Sequence, residues 1–169
     1  MIGTGRIGKG VVQRAAGFNM NILANDAYPD HAFLERFGGQ YVDLDRIYRE
    51  ADFITIHAPL TDATNNMINE RALSMMKPTA VLINAARGGI VDEAALYMAL
   101  KEHRIYGAAL DATEIEPACG SPLALLDNCI LTPHAGAATR EASLKMGLLA
   151  AQNVIDVLRG KECRYIVNE

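Results

Sequence analysis

The sequence predicts an α/β protein, a doubly wound, mostly parallel sheet with helices on both faces. Three observations carry that expectation. Short apolar runs of strand length alternate with helical patterns along the whole chain, as in strands joined by crossover helices. The opening Gly3-Thr4-Gly5-Arg6-Ile7-Gly8 is a G-x-G-x-x-G turn that passes at once into a helical pattern. An acid, Asp26, then ends a short apolar run 18 residues after Gly8. In such a unit Gly3 permits the tight turn, Gly5 leaves room for a pyrophosphate, and Gly8 lets helix and strand pack closely. The free N–H groups of the helix's first turn favour the anion. A carboxylate about 20 residues further on meets an adenosine ribose and repels the extra phosphate of NADP. The sheet is therefore expected to be of the Rossmann type, with NAD as cofactor. The competing reading of Asp26 is an aspartate that opens a turn before Tyr28-Pro29.

In chain order, Ile7, Val11, Ala15 and Phe18 form the apolar stripe of the first helix, which Gly17 is placed to end. Asn21–Asp26 reads as a strand. A helix starts near Asp30, carries Phe33, Leu34 and Phe37, and stops at Gly38-Gly39. A short strand over Gln40–Val42 and a helix over Leu44–Glu50 follow. Asp52–His57 is the apolar run expected of a strand buried on both faces. The next helix is capped by Asn69 and stopped by Pro78. Ala80–Asn84 is a strand, and Asp92 caps a helix whose end carries Lys101, His103 and Arg104, where positive charge suits the dipole. Ile105–Asp111 and Asn128–Thr132 are the last strands. A long helix from about Thr139 to Arg159 places Leu144, Leu148, Ala151, Ile155 and Leu158 on one stripe, with Gly160 as its cap.

Composition narrows the function class. The 169 residues suit one domain, half of them hydrophobic and 21% charged, which is the profile of a globular protein. A net charge of −4 without a lysine-arginine run gives no field for nucleic acid. Cys119, Cys129 and Cys163 are odd in number and lack metal-ligand spacing, so no metal site is expected and the thiols read as reduced. No apolar run reaches the 18 or so residues that span a bilayer, and a cytoplasmic location is expected. Only Met1 and Ile2 precede the glycine loop, whereas strands usually run about five to six residues. The expectation is a chain cut within its central strand, marginal in stability, with weak NAD(H) binding and no turnover by itself.

Ligands of such sheets lie beyond the carboxyl ends of the strands. Asp26, His57, Arg87, Asp111 and His134 each end or closely follow an expected strand, and Glu116 lies in the loop after Asp111. Arg87, before Gly88-Gly89, has a guanidinium fork suited to a carboxylate; its plain alternative is a surface loop arginine. His134 follows Pro133 and is suited to proton transfer near neutral pH, unless it is structural. Glu116 would raise the pKa of a paired histidine, or is a solvated loop acid. His57 reads as a strand-end histidine bonded to local backbone.

The glycine loop, His57-Ala58-Pro59-Leu60-Thr61 with Thr64, Leu82–Val91, Ala109–Pro117 and Leu131–Thr139 occur in an order that resembles one family. It is the cofactor-binding domain of the D-isomer-specific 2-hydroxyacid dehydrogenases, especially the phosphoglycerate dehydrogenase branch. The resemblance covers nearly the whole chain. It implies Arg87 as the substrate-binding arginine, Glu116 as the acid partner and His134 as the acid/base. It also implies a cofactor lining of Gly3, Gly5, Arg6, Ile7, Gly8, Asp26, Ala58, Ala85, Arg87, Asp111, His134 and Gly136. A small 2-hydroxy or 2-oxo acid substrate and a homodimer are implied as well. Ala112-Thr113 stands where the family usually has valine and an aromatic residue. The family's second, substrate-binding domain is expected to lie outside residues 1–169. Because the family also includes transcriptional co-repressors, a non-catalytic NAD(H)-sensing module is the alternative, with an inactive gene fragment as a third reading.

Overall fold

Two sheets of parallel strands meet at Ile2. In the computed structural model, which describes residues 1–163, Tyr165 and Ile166, β1 (Leu23–Ala24) pairs with β2 (Gln40–Tyr41). A second sheet runs β3 (Phe53–Ile56), β4 (Val81–Asn84), β5 (Gly107–Leu110), β6 (Cys129–Leu131). Ile2 bridges both, pairing in parallel with Asn25 on one side and Ile56 on the other. Its N–H donates to the Thr55 carbonyl at 2.9 Å and its carbonyl accepts from His57 N–H at 2.7 Å, while Gly3 N–H reaches the Asn25 carbonyl at 2.8 Å. Met1–Ile2 thus occupies the central strand position. Counting it first, the spatial order is 3-2-1-4-5-6-7, which reverses direction at Ile2, the doubly wound arrangement.

Strand alternation explains why both faces are covered. Ile2 and Leu23 join the larger core, with Ile54, Ile56, Leu82 and Leu110 and side chains of α3 (Leu44–Glu50), α4 (Glu70–Met75) and α5 (Glu93–Lys101). Met1 and Ala24, their strand neighbours, join a smaller core with Val12 of α1 (Arg6–Gly17) and Leu34 of α2 (His31–Glu35). Neighbours along a strand face opposite sides, so the two cores lie on opposite faces of the sheet. Each fully buried leucine or isoleucine contributes roughly 1.5–3 kcal/mol by leaving water.

Two expectations need correction. The inward side of α1 is Gly8 and Val12, not the stripe from Ile7 to Phe18; Ile7 and Phe18 are 69% and 82% exposed. Val11 and Ala15 flank the buried line and pack partly against it. The reason is Gly8, whose lack of a side chain sets the closest approach of the helix and so fixes its rotation. A 3-10 helix over Pro122–Leu125, capped by Ser121, also lies where no element is expected. The remaining strands and helices fall where the apolar periodicity places them.

The chain divides into two compact units, Met1–Pro133 and His134–Glu169. The second contains α6 (Arg140–Leu158), capped by Thr139, whose hydroxyl accepts from Ala142 N–H at 3.1 Å. None of its residues is buried. Among the described residues no helix is long and apolar enough to cross a membrane.

Candidate cofactor site

The register of the sheet lines up its strand ends. Asn25, Ile2, Ile56, Asn84, Leu110 and Leu131 share one row. The residues that come next are Asp26, Gly3, His57, Ala85, Asp111 and Thr132, so one carboxyl edge gathers four of the expected cofactor residues. Asp111 is held there by its N–H on the Asn84 carbonyl (2.9 Å) and by the Thr132 hydroxyl, which donates to its Oδ1 at 2.5 Å.

The three glycines take three separate roles. Gly3 has φ of 87°, and a Cβ there would stand 2.6 Å from the His57 carbonyl carbon and Ala58 N. At Gly8 a Cβ would stand 2.2 Å from the Gly3 carbonyl oxygen, so turn and helix touch backbone to backbone. Gly5 is different: it is exposed and nothing lies within 4 Å of its Cβ position. Gly3 and Gly8 close the fold, whereas Gly5 leaves open space.

Helix capping marks the same place. Asp30, Asp43, Asn69, Asp92 and Thr139 each accept a backbone N–H at the start of α2 to α6. The N-cap of α1 is Gly5, with no side-chain cap. The N–H groups of the first helical turn have no intrahelical acceptor, and together with the dipole they favour an anion. Gly5, Arg6 and Ile7 are exposed beside them.

Asp26 faces this turn. Its Oδ2 accepts from Thr4 N–H (2.5 Å) and from the Thr4 hydroxyl (3.0 Å), and its Oδ1 accepts from Tyr28 N–H (2.8 Å). Burial works against the charge. The Thr4 and Tyr28 N–H groups, the Thr4 hydroxyl and Lys9 outweigh it and hold the carboxyl below its usual range. Lys9 itself is paired with Asp30. A pyrophosphate on the open helix start and a ribose on an ionised Asp26 therefore fit the residues present.

His57 is not bonded to backbone through its ring, as the sequence suggested. Its Nε2 lies 2.9 Å from the Thr55 hydroxyl, and among the described residues its buried Nδ1 finds no partner. Burial lowers its pKa, so the ring is neutral at pH 7.

Arg87 is exposed, on a loop held by buried Asn84. The Asn84 amide donates to the Arg87 carbonyl at 2.8 Å, and its oxygen accepts from Ala86 N–H at 3.1 Å. Gly88 presses this loop on its neighbour, since a Cβ there would stand 2.0 Å from the Thr113 carbonyl oxygen. The neighbouring loop carries Glu116, also exposed, and is pinned to α5 where Glu114 N–H donates to Glu93 at 2.6 Å. Arg87 and Glu116 belong to the unit Met1–Pro133; His134 and Gly136 belong to the unit His134–Glu169. His134 has a left-handed φ of 52°.

Sequence reasoning missed Thr4, Tyr41 and Asn84. A polar side chain closing the apolar run Val81–Asn84 was the available signal for Asn84. Tyr41 gave none, because its partners lie far away along the chain. A cleft of about 980 Å³ opens elsewhere, beside Met1, Leu23, Gln40 and Phe53. These residues begin or precede their strands, at the end opposite the glycine loop. The glycine loop, the open helix start and Asp26 lie instead at the carboxyl edge.

Comparison with known proteins agrees with this geometry. Residues 1–136 match the family model described as the D-isomer specific 2-hydroxyacid dehydrogenase, NAD binding domain. A D-3-phosphoglycerate dehydrogenase of Methanocaldococcus jannaschii is 46% identical over 169 residues, covering 99% of this chain and 32% of that protein. A glyoxylate reductase of Korarchaeum cryptofilum is 44% identical, covering 100% of this chain and 51% of that protein. The crystal structure of D-lactate dehydrogenase with NAD+ from Lactobacillus jensenii superposes with a TM-score of 0.89 at 33% identity, over 99% of this chain and 54% of that one. This chain thus spans a third to a half of the length of these relatives. It belongs to the D-isomer-specific 2-hydroxyacid dehydrogenases, and what it carries is their NAD-binding domain.

Proposed function

We propose that this domain serves hydride transfer between C2 of a small 2-hydroxy acid and NAD, with Arg87, Glu116 and His134 as the reacting side chains. The observation that carries the cofactor half is the uncapped start of α1 beside an ionised Asp26. Gly3, Gly5, Arg6, Ile7 and Gly8 would hold the pyrophosphate, Asp26 the adenosine ribose, and Ala58, Ala85, Asp111 and Gly136 the remaining wall. The bound nicotinamide supplies the hydride acceptor; the protein orients and polarises. Arg87 would fix the substrate carboxylate through two parallel bonds. His134 would take the hydroxyl proton, and Glu116 would stabilise the resulting imidazolium. The support for these three roles is their motif context, Asn84–Gly89, Asp111–Pro117 and Leu131–Gly136.

Parallel titrations with NADH and NADPH test the cofactor assignment. NADH is expected to bind more tightly, because the Asp26 charge repels a 2′-phosphate. Asp26, held below its ordinary range, stays ionised throughout neutral pH, so the preference should not vary between about pH 7 and 8, where the 2′-phosphate also keeps its charge. Equal affinities would refute the role of Asp26.

The whole enzyme is read as a cytoplasmic homodimer in which residues 1–169 form the NAD-binding part and other residues supply the substrate-binding domain. Two-fold assemblies are the commonest closed symmetry. Sedimentation of the intact enzyme should give twice the protomer mass at micromolar concentration, and a folded monomer alone would contradict it.

A further inference from the structure

A line of three hydroxyl and carboxylate groups ties β2 to the glycine loop. The Tyr41 oxygen accepts the backbone N–H of Asp30 at 3.0 Å. It also lies 2.8 Å from the Thr4 hydroxyl, which lies 3.0 Å from Asp26 Oδ2. An ionised carboxylate only accepts, so the single Thr4 hydroxyl hydrogen goes to Asp26. Thr4 must then accept from Tyr41, whose own hydrogen is free to be given because its oxygen is the one that receives Asp30 N–H. The hydrogens therefore run one way, from Asp30 N–H through Tyr41 and Thr4 to Asp26. Thr4 is 3% exposed, so water does not compete for its hydroxyl.

Counting acceptor sites sharpens the consequence. A carboxylate offers about four lone-pair sites. Thr4 N–H and the Thr4 hydroxyl occupy Oδ2, and Tyr28 N–H occupies one site of Oδ1. What remains is one site on Oδ1, enough for one ribose hydroxyl. A 2′-phosphate has no hydrogen for that site and meets a charge that cannot turn away, because its other oxygen is pinned.

We propose that Tyr41 is a positioning residue that sets cofactor choice: acting through Thr4, it fixes the Asp26 carboxylate so that it accepts a ribose hydroxyl and excludes a 2′-phosphate. The proposal rests on the reading of Asp26 as the ribose ligand. Tyr41 sits well for the task, since it is paired in register with Ala24 of β1, two residues before Asp26, and its ring is braced edge-on against His31 at 5.0 Å.

The test uses Tyr41→Phe, which keeps the ring and removes only the hydroxyl, and Thr4→Val, which is nearly isosteric. Each is titrated with NADH and with NADPH, after thermal melting has confirmed a folded chain. A neutral hydrogen bond contributes about 0.5–1.5 kcal/mol, which corresponds to roughly a 2–12-fold change in affinity. The expected result is that the NADH-over-NADPH preference falls by about that factor in each variant. The double variant should fall no further than either single one, because both cut the same line. A role in packing alone would weaken both cofactors equally and leave the ratio unchanged, and that outcome overturns the proposal. Asp26→Asn separates the two layers. If it collapses the preference while Tyr41→Phe does not, the line from Tyr41 is wrong and Asp26 stands. If Asp26→Asn leaves the preference intact, the ribose assignment fails and the proposal fails with it.

Discussion

Replacing His134 by Ala, in an enzyme that joins this chain to a substrate-binding domain, is expected to lower turnover about 10²–10⁴-fold while NADH affinity changes little. That range is the usual worth of a positioned proton carrier. Oxidation of an alcohol at C2 needs the hydroxyl proton removed as hydride leaves, and imidazole has the right pKa near neutral pH. Under the proposed function Glu116 would stabilise the imidazolium, because a nearby carboxylate favours the charged form of a ring. Replacing Glu116 by Gln is therefore expected to lower turnover while NADH affinity changes little. Near-normal turnover in His134→Ala would return this histidine to a structural role.

The largest expected effect on the fold comes from one methyl group. Gly8→Ala places a Cβ 2.2 Å from the Gly3 carbonyl oxygen, and both sides of that contact are backbone. Neither can rotate away, so α1 must lift from the turn that it covers. Overpacking a well-filled site costs about 1–3 kcal/mol, and a backbone clash belongs at or above the upper end. Against a total of roughly 5–15 kcal/mol, this is a large share. For a chain of this size it lowers Tm by about 6–12 °C. Gly88→Ala should behave alike, because its Cβ would stand 2.0 Å from the Thr113 carbonyl oxygen. Gly5→Ala is the contrast: with nothing within 4 Å and φ of −64°, alanine fits and melting should not change. Thermal unfolding of the three variants checks the order, and a Gly8→Ala protein that melts like its parent would contradict it.

The sheet was legible because its signals are local. Apolar runs such as Phe53–Ile56 and Val81–Asn84 sit between capping residues, and Asp30, Asp43, Asn69 and Asp92 start their helices as their side-chain chemistry requires. The carboxyl-edge residues followed from the same reading, since Asp26, His57, Ala85 and Asp111 are simply what comes after each strand. What stayed hidden depends on rotation and on distant partners. The apolar residues of α1 did not reveal which side turns inward, because a backbone contact at Gly8 decides it. The two residues before the glycine loop gave little apolar pattern to read, yet the backbone of Met1–Gly3 bonds to strands on both sides, which needs no particular side chain. Tyr41 and Thr4 were invisible for the complementary reason. A hydrogen bond spanning 37 residues leaves no periodicity to read.

Under the proposed function the cofactor's pyrophosphate rests on the open turn Gly3–Gly8. Titrating the ¹⁵N-labelled chain with NADH while following its backbone amide resonances tests it most directly, and it works even for weak binding. The amides of Gly5, Arg6 and Ile7 are expected to move most, Asp26 to move with them, and Gly5→Ala to remove the response without altering the fold. Shifts centred instead on Leu23, Gln40 and Phe53 at the opposite end of the strands, or an undiminished response in Gly5→Ala, would contradict it.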